Sequence, residues 1–167
     1  DDFGKAGGGA GHVGEAIMDS PCFYKYFSLD WEQLVHNLAG PQPDEKNQPE
    51  DYKTWKDKIT PQAGRLAACT LGHFIKAAAC EVPTGKKNST APNNRPEGIL
   101  IELRDTAPIS YANAFATPAA RGERDLISQS IAQLGQCVRD MEVGYDAPKK
   151  RFWFSPNLRY QLSIIQD

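Results

Sequence analysis

The sequence predicts an α+β fold in which helices layer on an antiparallel sheet. Three observations predict it. Short segments alternate with a two-residue period, as Ile99, Ile101 and Leu103 do against Leu100, Glu102 and Arg104, the pattern of a half-buried strand. Longer segments repeat apolar residues at helical spacing, as in Ile127, Ile131, Leu134, Val138 and Met141. The elements follow one another as strand, short helix, long helix, strand, helix and strand, an order that fits helices layered on an antiparallel sheet.

Taken in chain order, residues 1–14 hold Gly4, Gly7, Gly8, Gly9, Gly11 and Gly14 and offer no apolar face. Residues 1–20 therefore read as a glycine-rich loop segment and residues 21–167 as the domain. The first strand is expected over Cys22–Leu29, with Phe23, Phe27 and Leu29 on one side and Tyr24, Tyr26 and Ser28 on the other. Asp30 is placed to cap a short helix, with Gln33 completing a capping box and Gly40-Pro41 stopping it. A polar loop follows to Lys58, with one helical turn around Tyr52–Trp55. Thr60-Pro61 reads as the start of a long helix, a capping hydroxyl followed by proline at the first position. Its stripe is Leu66, Thr70, Phe74 and Ala77. Gly64 and Gly72, each costing about 1 kcal/mol relative to alanine, imply close approach of another backbone. Pro83 and Gly85 end it. Beyond the strand at Ile99 and the helix around Leu134, a last strand is expected through Leu158, Tyr160, Leu162 and Ile164. The order matches ferredoxin-like and RNA-recognition-type layers, but the sheet is short of strands for a complete domain.

Charge and composition limit the function. Asp and Glu number 21 against 19 Lys and Arg, a net charge of -2. A chain gripping nucleic acid with its whole surface is usually basic, so any such contact is local or shared with other polypeptides. Cys22, Cys69, Cys80 and Cys137 are widely spaced and read as reduced, partly buried thiols of a cytoplasmic protein. No apolar run approaches membrane-span length and no secretory signal is visible. The chain opens with Asp1 rather than Met, and reads as a piece of something longer.

The chemical motifs are few. Gly9-x-Gly11-x-x-Gly14 has dinucleotide-fingerprint spacing but lacks the strand before it and the helix after it. Gly85-Lys86-Lys87-Asn88-Ser89-Thr90 fails as a phosphate loop, lacking the earlier glycine and the hydroxyl directly after Lys86. It nevertheless gathers two ammonium groups, an amide and two hydroxyls, with Arg95 nearby, and such groups hold phosphates and sugars without reading bases. The opposing reading is a solvated polar loop. Lys149-Lys150-Arg151 beside Phe152-Trp153-Phe154 suits single-strand contact, yet a strand with core aromatics and a charged lead-in explains it better. His12, His36 and His73 have no partners at metal-ligand spacing. No serine-nucleophile motif is present, and Asp105, Asp125 and Asp140 form no partner pattern. No cofactor, metal site or catalytic residue is indicated.

Three blocks in series carry a family resemblance. They are Ala10-Gly11-His12-Val13 with Ser20–Tyr26 and Gln33–Leu38; Ala79–Thr90, containing EVPTGKKNST; and Pro108–Phe115, PISYANAF. Together they resemble the C-terminal half of the CasC-type backbone subunit of type I-E CRISPR–Cas Cascade, across almost the whole chain. The resemblance implies an RRM-like palm with a glycine-rich thumb. It implies a non-catalytic subunit that polymerises along a guide RNA (crRNA) in bacterial antiviral defence. Specificity would lie in base pairing between guide and target DNA. Partners would be crRNA, target DNA through the guide duplex, other copies of the subunit and other Cascade subunits. It places Gly11, His12, Val13, Gly85, Lys86, Lys87, Asn88 and Ser89 at the RNA, and makes Ser110–Phe115 a structural turn. The family's N-terminal half, which supplies a palm strand and many basic contacts, has no counterpart here and is expected as a further partner.

Two other classes compete. One is a metal-independent repeat-RNA endonuclease, for which His12 is the available general acid or base. The other is a structural interaction module without RNA contact, in which Lys86 and Lys87 are dispensable.

Overall fold

The computed structural model describes residues 22–81, 94–119 and 125–162. It is a mixed fold of helices and one two-stranded antiparallel sheet, the predicted α+β class. The glycine segment at residues 1–14 lies outside the described residues.

The first predicted strand is not one. Residues 22–30 are irregular and pair with no neighbouring strand, and their aromatics serve as side-chain tethers instead. Phe27 meets the Phe74 ring edge-on at 5.2 Å. Tyr24 packs 5.5 Å from Phe115, and its hydroxyl accepts the Tyr111 N–H at 3.1 Å.

Helix α1, Trp31–Ala39, starts where Asp30 predicts: the Asp30 carboxylate accepts the Gln33 N–H at 2.9 Å. The reciprocal half of the capping box is replaced, since the Gln33 amide turns to Asn37 at 2.8 Å. Gly40, at φ 76, supplies the positive dihedral that ends the helix. Asp30→Ala is expected to lower stability by about 1 kcal/mol, measured by urea unfolding, with Asp30→Asn close to neutral.

The predicted long helix begins at Thr60 with Pro61 in its first turn, as read, but Thr60 caps no free helix end, because helical chain runs into it. Helix α2, Pro49–Thr54, runs through a π-helical segment, Trp55–Ile59, into helix α3, Thr60–Cys80. The physical reason lies in Pro61, which has no N–H to give the preceding turn and whose ring crowds it. A widened turn absorbs this. The Thr60 N–H bonds to the Trp55 carbonyl, and the Thr60 hydroxyl donates to that same oxygen at 3.0 Å. The predicted α3 stripe is also displaced. Ala63 and Ala67 are the buried residues of α3, which packs against α1, while Leu66 and Phe74 remain exposed. Small residues win this face because they let the two helices approach. A Cβ on Gly64 or Gly72 would meet nothing within 4 Å, so no backbone presses on either.

The core lies in the second half. Strand β1, Ile99–Leu103, pairs antiparallel with strand β2, Lys150–Phe154, in the register Ile99 to Phe154, Ile101 to Phe152 and Leu103 to Lys150. Helix α4, Leu126–Gly144, is capped by Asp125, which accepts the Ser128 N–H at 2.9 Å. That bond and the Ser128 hydroxyl hold the Asp125 carboxyl below its usual range. The predicted α4 stripe is seen: Ile131, Leu134 and Val138 are buried with Tyr111, Tyr160 and Leu162, and Met141 packs against them. Ile127, at its start, is exposed.

Two sequence expectations are corrected here. The last strand is β2; Tyr160 and Leu162 are buried in irregular chain, Leu158 is exposed, and Ile164 lies outside the described residues. The sheet has one inward and one outward side. The side carrying Leu100, Trp153, Glu102 and Arg151 packs inward, and the side with Phe152, Phe154 and Leu103 is exposed. The thiols of Cys22, Cys69 and Cys80 are exposed rather than partly buried; only Cys137 is half-buried. No described helix is long and apolar enough to cross a membrane.

Candidate nucleic-acid interface

Every residue that the sequence assigns to RNA lies outside the described residues: Gly11, His12 and Val13 in one segment, Gly85, Lys86, Lys87, Asn88 and Ser89 in the other. What is described is the frame of the second segment. Helix α3 ends at Cys80, and its last carbonyls have no intrahelical donors. Two cations fill that role. The Lys25 ammonium donates to the carbonyls of Ala78, at 3.2 Å, and Glu81. The Arg95 guanidinium donates to the Cys80 carbonyl at 3.2 Å. Positive charge at a helix C-terminus also complements its dipole. The chain on either side of residues 82–93 thus meets at one cation-capped helix end, through the α3 terminus and Arg95. Lys25 was not foreseen there, since it lies 53 residues from Ala78 in the chain.

The cation run before β2 is divided by the fold. Lys149 pairs with Asp105 at 2.7 Å on the open surface. Arg151 turns inward, and Lys150 stays exposed on the sheet face shared with Phe152 and Phe154. The run is therefore a strand lead-in rather than a phosphate cluster.

Arg151 belongs to a buried ionic network that the sequence did not announce. Glu102 is its hub, with side chains of Glu102 and Arg151 10% exposed and Arg104 7%. Arg104 Nε donates to Glu102 Oε2 at 2.8 Å, and Arg151 Nε donates to Glu102 Oε1 at 2.7 Å. Arg151 Nη2 lies 2.7 Å from the same oxygen as an ion-pair contact without hydrogen-bond alignment. Arg151 Nη1 pairs with Glu142 at 2.8 Å. The Tyr111 hydroxyl donates to Glu102 at 3.0 Å and accepts from Arg104 at 2.9 Å, while Arg104 Nη1 donates to the Asp146 carbonyl at 2.7 Å. Two carboxylates balance two guanidiniums. Burial lowers both arginine pKa values, but the bonds and charge of Glu102 outweigh it and hold them above the usual value. Burial, then Glu102, raises Tyr111. Each group is held by partners inside the protein, so the network joins β1, β2, α4 and the Tyr111 turn as a structural unit. Tyr111, 4% exposed, anchors a 3₁₀ turn, Ala112–Phe115, whose Ala114 and Phe115 pack on the core. This is the structural role expected for Ser110–Phe115.

His36 stands 6.1 Å from the Trp55 ring, and the His73 ring nitrogen is 2.8 Å from the Cys69 carbonyl. Both are exposed, and among the described residues no three His, Cys, Asp or Glu side chains converge on a metal position.

No curated protein matches the chain. The model of the CT1975-like protein family of Cas proteins matches residues 1–163, nearly the whole sequence. The chain therefore belongs to the CT1975-like family and is a CRISPR-associated protein.

Proposed function

We propose that the chain is a non-catalytic, cytoplasmic guide-RNA-binding backbone subunit of a Cascade-type surveillance complex. The observation that carries this reading is the family assignment over residues 1–163. It is joined to the sequence Lys86-Lys87-Asn88-Ser89, which follows the cation-capped end of α3 in the chain. Lys86 and Lys87 meet phosphates, Asn88 and Ser89 meet riboses, and Gly11, His12 and Val13 lie along the same strand. Such contacts are indifferent to base identity, as a subunit repeated along any guide requires. The net charge of -2 fits contacts confined to a few loops and completed by neighbouring subunits.

The test is RNA retention by the chain co-expressed with guide RNA and partner subunits. Lys86→Ala with Lys87→Ala is expected to strip RNA from the purified assembly, read as a fall in the 260/280 nm absorbance ratio. Wild-type affinity should fall steeply with salt, and the double variant should show a shallower slope, by about two counterions. Unchanged RNA content and slope would overturn the assignment of this loop.

A further inference from the structure

The C-terminal end of α3 holds more positive charge than capping it requires. The Lys25 ammonium donates to the carbonyls of Ala78 and Glu81, and the Arg95 guanidinium to that of Cys80. Two cations from distant parts of the chain thus stand on one helix terminus. Such a terminus carries the equivalent of about half a negative charge, so two full positive charges leave a surplus of about one and a half. No carboxylate takes it up. Among the described residues neither Lys25 nor Arg95 enters an ion pair, although Glu81 and Glu97 are close to them in the chain.

Both side chains are exposed and only partly engaged. Arg95 gives Nη1 to Cys80, and its Nη2 and Nε meet no acceptor among the described residues. Both residues are also pre-positioned. Lys25 lies between Tyr24, whose hydroxyl accepts the Tyr111 N–H, and Phe27, which meets Phe74 edge-on. Pro96 biases the backbone of Arg95 toward extended forms.

We propose that Lys25 and Arg95 form a phosphate-binding site on the end of α3 that takes the backbone of a single-stranded nucleic acid. The proposal rests on the reading of the chain as a nucleic-acid-binding subunit, but on none of the residues assigned above. Like charges held on one helix end repel each other, and an anion beside them removes that cost. A guanidinium fork with an ammonium on the same helix end matches the oxygens of a phosphate. A lone carboxylate would neutralise one charge, whereas a phosphate chain, charged at every nucleotide, meets both cations in succession. Contacts of this kind carry no base preference.

Equilibrium binding of the full chain to short labelled RNA and DNA single strands, repeated across salt concentrations, tests this. Lys25→Ala with Arg95→Ala is expected to weaken binding about tenfold or more. It should also reduce the slope of log affinity against log salt by about 1.4, the share of two single-strand phosphates. Arg95→Lys keeps the charge, so it should keep the slope and lose part of the affinity with the fork. Urea unfolding of each variant gives the folded fraction to which affinity is referred. A stronger effect on RNA identifies the guide as the source of the phosphates, and a stronger effect on DNA identifies the target strand. Weaker binding at an unchanged slope would make the two cations a helix cap alone and overturn the proposal, as would unchanged affinity. If Lys86→Ala with Lys87→Ala then still lost binding, the guide-RNA reading would stand without this site. If only the Lys25 and Arg95 pair lowered the slope, the site would stand and the assignment of Lys86 and Lys87 would fall. Wild-type chain that bound neither strand would overturn both readings.

Discussion

Glu102→Ala is expected to be the most damaging single substitution among the described residues. It removes the one carboxylate that faces both Arg104 and Arg151 and leaves two guanidiniums, 7% and 10% exposed at their side chains, without it. Removing one partner of a buried pair costs about 3–5 kcal/mol, because the remaining charge keeps its desolvation penalty. A domain's whole stability is about 5–15 kcal/mol. The melting temperature should fall by roughly 6–20 °C, and urea unfolding should show the lower midpoint with an unchanged slope. Glu102→Gln keeps the volume and removes the charge, and should fall between wild type and Glu102→Ala.

Companion variants show how the network divides its work. Tyr111→Phe deletes the donor to Glu102 and the acceptor for Arg104. It leaves every ion pair in place, so its cost should be about 1–2 kcal/mol. Glu142→Ala releases a more exposed carboxylate, 28%, and leaves Arg151 still paired with Glu102. If Glu102→Ala proved no worse than Glu142→Ala, the hub role of Glu102 would be wrong. None of these residues is among those assigned to RNA, so RNA affinity per folded molecule should stay constant.

Elements dominated by one strong periodic signal were legible in the sequence. Helix α4 was read from its apolar stripe, and Ile131, Leu134, Val138 and Met141 of that stripe face the core, whereas its aspartate cap was not read. Strand β1 was found for its alternation, but the alternation did not say which side faces in. Leu100, Glu102 and Arg104 look like an outer face until Arg151, 49 residues away from Glu102, neutralises the carboxylate. A buried ion pair between distant positions leaves no local trace, which is why the network was missed. Two charges on the same strand face as Leu100 were the available hint. The strand sought at Leu158–Ile164 failed for a related reason. Burial at alternate positions, as at Tyr160 and Leu162, needs no ladder when irregular chain lies on the core. At Pro61 the cap chemistry was read correctly as proline punctuation, but a π turn accommodated it within a continuing helix. The loop residues assigned to RNA were legible only through the family resemblance, since a loop of Lys, Asn, Ser and Thr is also what ordinary solvated surface looks like.

Trp153→Ala should rank next in cost, and its neighbour Gly98 makes the reason measurable. The Trp153 indole packs against the core, and its N–H donates to the Tyr160 carbonyl at 2.8 Å, pinning the chain that buries Tyr160 and Leu162. Truncation removes the ring and orphans that carbonyl, for about 3–5 kcal/mol. Gly98 lies directly on the ring: a Cβ there would stand 2.1 Å from Trp153 Cη2 and 2.7 Å from Cζ2. Gly98→Ala in the wild-type background must therefore displace an indole held by core packing and a hydrogen bond, costing about 1–3 kcal/mol by overpacking. In the Trp153→Ala background the obstacle is gone, and the same substitution should cost nothing or stabilise slightly by restricting the unfolded chain. The double-mutant cycle isolates this coupling, expected at roughly 1–3 kcal/mol. Additive costs would mean that the glycine answers to backbone geometry alone and that the indole does not sit where it sets the β1 entry.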